Sequence, residues 1–218
     1  KIDGDDGLPK IQIRRELGLM QLEWEGRPDG TRPHDTDSLL TYFRRQQAEH
    51  EESSTEPYRM TREECWALGQ EALQYYWRRI SFFELKEYQR AEEDARHNLA
   101  ILDMCYDYAE NDEDRQLAEQ YRVFVTAHRV QARALAFLDK DAHGEAVAEI
   151  RRGIFEIEAF LEKIGQLDQL DDCPELLFLR EWETEVESNR PRSPRERLAA
   201  ELQAAVAERG GQCEFVLR

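Results

Sequence analysis

The chain has 218 residues, 40% hydrophobic and 35% charged, with a formal net charge of −17. That apolar fraction is enough for a real core in one large domain or two small ones. So acidic a surface repels phosphate backbones, which argues against direct nucleic-acid binding. The absence of an 18-residue apolar run or a signal-like hydrophobic stretch predicts a protein with no membrane span, placed in the cytoplasm.

Residues 1–10 are rich in Gly and Asp and read as disordered or as a linker. Over 11–25, Ile11 and Ile13 alternate with polar residues, and so do Met20, Leu22 and Trp24. This stretch reads either as a short β-hairpin or as one helix over 9–25 that carries Leu17, Met20 and Trp24 on one stripe. Gly26-Arg27-Pro28-Asp29-Gly30 supplies turn chemistry, because Pro presets one backbone angle and Gly allows positive φ. Its charged pair could serve a binding loop, but a structural turn needs the same residues.

A helix follows over 38–50, opened by Asp37 or Ser38, and then a loop over 51–57. Thr61-Arg62-Glu63-Glu64 has the form of a capping box. It opens a long helix to Leu85. Further helices are expected over 88–109, 113–138 and 142–164, from Pro174 to just before Asn189, and from Ser193-Pro194 to Gly210-Gly211. The predicted core comprises Trp77, Leu85, Ala91, Ala95, Leu99 and Leu102, and then Ala132, Leu135, Phe137, Ala146, Ile150, Ile154 and Ile157. Ala91 and Ala146 would let helices approach closely. The fold class is therefore all-α, with a short β-hairpin or helix at the N-terminus. The domains read as 1–60, an extension carrying the turn and one helix; 61–190, the helical unit; and 191–218, a terminal helical motif.

The chain also repeats. Phe82-Phe83-Glu84-Leu85-Lys86-Glu87-Tyr88-Gln89-Arg90-Ala91 overlays Phe137-Leu138-Asp139-Lys140-Asp141-Ala142-His143-Gly144-Glu145-Ala146 at an offset of 55 residues. Both segments give an aromatic at a helix end, a polar break and an early Ala, which is the pattern of a helical hairpin that buries its apolar face by stacking on a neighbour.

Chemistry-bearing motifs are scarce. No GxSxG, Walker A, HExxH or GxGxxG occurs. Cys65, Cys105, Cys173 and Cys213 form no CxxC pair, so they read as reduced thiols of a cytosolic protein and not as zinc ligands. Asp94, His97, Asp103 and Cys105 lie close in sequence, and Asp107, Glu110, Asp112, Glu113 and Asp114 follow. Without EF-hand spacing these read as a solvated acidic helix end, and no metal or cofactor is expected. His128 reads as a packed residue. A carboxylate metal site in a helical bundle needs paired Glu-x-x-His units, whereas Glu93 precedes His97 by four. Trp66, Tyr75, Tyr76, Trp77, Phe82 and Phe83 concentrate aromatics on one helix, mostly as core. Tyr75, Tyr76, Arg78, Arg79 and Phe83 are the candidate partner-binding set there, because aromatic plus Arg is the usual make-up of an interaction hot spot.

On Phe82-Phe83, Tyr88 and Ala91, and less closely on Phe137, His143 and Ala146, residues 62–165 resemble the tetratricopeptide repeat family. The resemblance implies a stack of antiparallel helical hairpins that binds protein. Three departures matter: the 55-residue period exceeds the family's usual length, Arg78 and Arg79 stand where the family has a small residue, and Tyr76 and Ile80 occupy the places of its carboxylate-clamping Lys and Asn. A carboxylate clamp is therefore not expected. Residues 195–208, with Leu198, Leu202, Ala205 and Val206 as an apolar stripe, resemble the first helix of the UvrB/UvrC motif, and Leu217-Arg218 matches its second. Gly210-Gly211 and Cys213-Glu214-Phe215 depart from that motif, which in other proteins makes protein–protein contacts. Leu198, Leu202 and Val206 complete the candidate partner-binding set. The whole layout resembles bacterial proteins grouped by that motif. The leading functional expectation is a non-enzymatic scaffold or adaptor with protein partners. The alternatives are a metal- or small-ligand-dependent enzyme in a helical core and a repair-associated factor acting through a partner.

Overall fold

The computed structural model describes residues 1–191. Three short antiparallel strands come first, β1 (Ile2–Asp3), β2 (Pro9–Arg15) and β3 (Gly18–Glu23), in the order β1-β2-β3. Helices α1 (Leu39–Ser53), α2 (Arg62–Glu84), α3 (Tyr88–Tyr108), α4 (Asp112–Glu119), α5 (Arg122–Leu138), α6 (His143–Lys163) and α7 (Pro174–Ser188) follow. The chain is thus mostly helical with an N-terminal sheet. Among the described residues no helix is long and apolar enough to cross a membrane.

The strand reading of residues 9–25 is the correct one. The register pairs Ile11 with Leu22 and Ile13 with Met20. Ile11, Leu22 and Trp24 are buried against Phe82, Ala91 and Ala132, so the period-two pattern is a sheet face laid on the helices. On the other face Gln12 donates to Gln21 across the strands. Leu17, placed on the apolar stripe in the helix alternative, sits fully exposed in the turn between β2 and β3.

Ser38 caps α1 by accepting from the Thr41 amide, and Thr61 and Glu64 form the expected capping box on α2. Helices α3 and α6 each have 21 residues and begin 55 residues apart. Their entry turns match. Lys86 and Asp141 both adopt positive φ, near 60° and 56°. Glu87 N–H donates to Phe82 O and Ala142 N–H to Phe137 O, each at about 3.0 Å or less. The two hairpins, α2–α3 and α5–α6, join through α3 against α5, and α7 packs on α6.

The helix expected over 113–138 is two. Tyr121 N–H bonds back to Ala118 O, tightening the last turn of α4 before α5 sets off anew at Arg122. Helix α4 crosses the open end of the first hairpin, where Arg62 pairs with Glu113 and Asp114, while α5 runs along α3. One straight helix cannot do both. Beside α4, Met60 forms a one-residue parallel bridge to Ala109 that closes this end of the hairpin.

The larger core joins α5, α6 and α7 through Val130, Ile150, Ile157, Leu176 and Leu179. A second lies under α1 between α2 and α3. Ala91, Ala95, Leu102, Ala132, Ala146, Ile150, Ile154 and Ile157 are buried as expected. Trp77, Leu99, Leu135 and Phe137 are half-buried. Leu85 corrects the expectation: it follows the last residue of α2 as C-cap and is exposed.

Candidate functional site

Two arrangements of polar side chains converge on α2. The first lies where the Gly26–Gly30 turn docks on the helices. Gly26 and Gly30 both have positive φ, and Gly30 N–H closes the turn onto Arg27 O. Arg27 Nε then reaches Glu71 Oε2 at 3.0 Å. Glu71 is fully buried in α2, and its carboxylate also accepts the Leu39 and Leu40 amides at the start of α1 and His97 Nε2 from α3, at 2.7, 3.2 and 3.0 Å. Burial alone pushes this carboxyl up, but the hydrogen bonds from His97, Leu39 and Leu40 outweigh it and hold it below its ordinary value. His97 in turn stacks on Tyr75 with centroids 3.8 Å apart. Asp29 accepts from the Thr31 amide and from Gln74 Nε2, which fastens the turn to α2 from its other side.

Two turns along α2 from Glu71, buried Arg78 grips buried Asp94 of α3 with two parallel bonds of 2.9 and 2.7 Å. Its third arm donates to the carbonyls of Glu23 and Gly26. Burial raises the Asp94 carboxyl despite the arginine beside it. Two clefts flank the turn. One of about 240 Å³ is lined by Trp24, Glu25, Arg78, Arg90 and Glu93. The other, about 370 Å³, is lined by Asp6, Lys10, Glu23, Arg27 and Arg32. Lys10 is itself paired with Asp6 and Glu23. Chemically, this first arrangement is a latch, since its charges serve one another and tie the sheet and α1 to the first hairpin.

The second arrangement faces α5. Tyr76 approaches Phe124, Phe124 approaches His128, and Phe83 meets His128 edge-on, with centroids 6.0, 4.3 and 5.6 Å apart. Each of these four rings is half-buried. Arg79 is fully buried, its guanidinium carbon 5.5 Å from the Tyr76 ring centroid.

The structure therefore divides the α2 candidates. Tyr75 and Arg78 belong to the latch, Arg79 is interior, and Tyr76 and Phe83 reach the surface in part. The expected aromatic–arginine surface patch is not what these arginines form, because the hydrophobic contacts of the sheet and α5 close over them. Leu198, Leu202 and Val206 lie outside the described residues. The grouping of Asp94, His97, Asp103 and Cys105 is dispersed by helical geometry: Asp94 meets Arg78, His97 meets Glu71, Asp103 meets Arg122, and Cys105 packs with Cys65 in the core under α1. Among the described residues no three His, Cys, Asp or Glu side chains come close enough to share a metal ion.

Sequence reasoning missed Glu71 and the docking role of Arg27, though one signal was present. The buried positions of α2 are Cys65, Leu68, Glu71, Tyr75, Arg78, Arg79 and Phe82, so three charged residues lie in its interior. Charge at a core position demands a buried partner. Comparison of the chain with family models, curated proteins and solved structures finds no match.

Proposed function

We propose that the protein is a non-enzymatic scaffold whose stacked helical hairpins hold a protein partner, in the manner of tetratricopeptide repeats. The observation that carries this reading is the pair of hairpins 55 residues apart, each with the same left-handed turn between its two helices, at Lys86 and Asp141. Such units bury their apolar faces on each other and leave a helical face for binding. Leu73 and Tyr76 lie on one side of α2, and Tyr121 and Phe124 lie together at the start of α5, with Tyr76 and Phe124 in contact. Leu73 and Tyr121 are exposed, at 46% and 55%. Acidic residues Asp112, Glu113 and Asp114 open the neighbouring α4, so the partner that fits is an amphipathic segment with basic flanks. Residues 191–218, through the UvrB/UvrC-like stripe of Leu198, Leu202 and Val206, would engage a second protein. A cytoplasmic setting suits the free thiols of Cys65, Cys105 and Cys173.

The test compares proteins captured by three baits: the full chain, the chain lacking 191–218, and a Leu73→Glu/Tyr121→Glu double variant. Both substituted residues are exposed, so folding is spared. Loss of one captured protein with the deletion and of a different one with the double variant is the expected result. An unchanged set across all three baits would sink the two-ended scaffold.

A further inference from the structure

The Arg79 guanidinium is buried without compensation. It is fully buried among α2, α3 and α5, and none of its three nitrogens meets an acceptor among the described residues. Burial accordingly lowers its pKa to about 10. An unpaired interior charge is strongly destabilising. The hairpin stack does not itself require one. Fifty-five residues on, the equivalent position in the second hairpin is Ala134, equally buried. Arg78 next door shows the ordinary solution, a bidentate carboxylate plus two carbonyls.

Three further features point toward a ligand. Asp94 is the acidic group near enough to act on Arg79, but both its oxygens are committed to Arg78, so two guanidinium groups face one carboxylate. His128 lies close enough to feel the Arg79 charge, and its Nδ1 is likewise buried without a hydrogen-bond partner. Half-buried rings lie against both groups, Tyr76 against Arg79 and Phe83 and Phe124 against His128.

We propose that Arg79 and His128 form an internal binding site for a small oxyanion, a phosphate or a carboxylate, reached by rotation of the Tyr76, Phe83 and Phe124 rings. The planar fork of Arg79 presents parallel N–H donors of the spacing that two oxyanion oxygens accept. His128 supplies a ring N–H from the α5 side, and the anion neutralises the surplus positive charge. The site rests on Arg79 and His128 and not on the scaffold reading, although its covering rings Tyr76 and Phe124 also belong to the face proposed for a partner.

Thermal unfolding is measured in a buffer free of oxyanions, then with sodium phosphate, with sodium acetate and with sodium chloride at matched ionic strength. Chloride controls for screening of the −17 charge. Phosphate, acetate or both should raise the midpoint by several degrees beyond chloride, as a ligand of the native state does. Phosphate alone identifies an inorganic or phosphoryl source, and acetate alone a carboxylate. Arg79→Met should unfold at a higher temperature than the parent in the oxyanion-free buffer and lose the oxyanion response. Equal shifts with all three salts, or a response that survives in Arg79→Met, overturns the site. If Arg79→Met does not fold, the imidazole resonances of His128 in the unmodified protein decide. They should move with phosphate or acetate and not with chloride, and resonances unmoved by either oxyanion refute the proposal.

Discussion

Gly153 offers the sharpest test of how the second hairpin is held. A Cβ built on this glycine of α6 would lie 2.2, 2.8 and 3.0 Å from Cγ2, Cγ1 and Cβ of Val130 on α5. Rotating Val130 about χ1 can at best turn its Hβ toward the new carbon, and its own Cβ already lies at 3.0 Å, so Gly153→Ala must push the two helices apart. Overpacking of this kind costs up to about 3 kcal/mol, while alanine in place of glycine in a helix interior returns about 1 kcal/mol. The net expectation is a loss of about 2 kcal/mol, or a melting temperature lower by roughly 4–8 °C for a chain of this size. Urea and thermal unfolding followed by circular dichroism would measure it. Val130→Ala alone should also destabilise, through lost contacts. Combined with Gly153→Ala it should recover about 1–2 kcal/mol relative to the sum of the single variants, because the new methyl then occupies the vacated space. A Gly153→Ala protein that melts at or above the parent, or strict additivity in the cycle, refutes the close approach of α5 and α6.

Asp94→Asn should cost about 3–5 kcal/mol by leaving buried Arg78 without its carboxylate, read by urea denaturation; a change under about 1 kcal/mol would contradict the buried pair. Thr61→Ala removes the side-chain half of the α2 capping box and should cost about 1 kcal/mol in the same assay. Stability should fall on acidification for two reasons. His128 is held neutral, its pKa lowered to about 4 first by burial and then by Arg79, so the unfolded state takes up a proton first and stability is lost between about 6.5 and 4. Glu71, held below its ordinary value, adds a further loss as pH falls through the carboxylate range. In oxyanion-free buffer His128→Phe should flatten the upper part of that profile, and an unchanged slope between pH 6.5 and 4 would show that the imidazole is not buried neutral.

Local chemistry was legible in the sequence where it acts locally. The Thr61–Glu64 box and the alternation of Ile11 and Ile13, which left hairpin and helix both open, depend on residues a few positions apart, and the match of Phe82 and Ala91 with Phe137 and Ala146 compares two such short patterns 55 residues apart; each appears in the fold. What escaped depends on distant partners. Arg78 reads as a surface arginine until the carbonyls of Glu23 and Gly26, more than 50 residues earlier, arrive beside it. Glu71 caps α1 from 31 and 32 residues away, so no window on α2 reveals that role. The break at Tyr121 follows from α4 crossing the first hairpin while α5 runs along α3, a tertiary demand on a segment whose own composition favours continuous helix. Leu85 has the composition of a core residue, but the turn at Lys86 sets it outside the packed layer.

The latch beneath the Gly26–Gly30 turn also governs how the chain can be cut. A fragment begun at residue 61, the boundary that composition suggests, would lose Arg27 and the Leu39 and Leu40 amides that satisfy Glu71, together with the carbonyls that satisfy Arg78. It would also uncover the Phe82–Ala91 surface on which the sheet lies. The first forty residues therefore act as a wall of the first hairpin, tying its folding to contacts that close over long stretches of chain. The smallest unit expected to fold on its own starts at the β-strands, and partner mapping by truncation should keep them in every fragment.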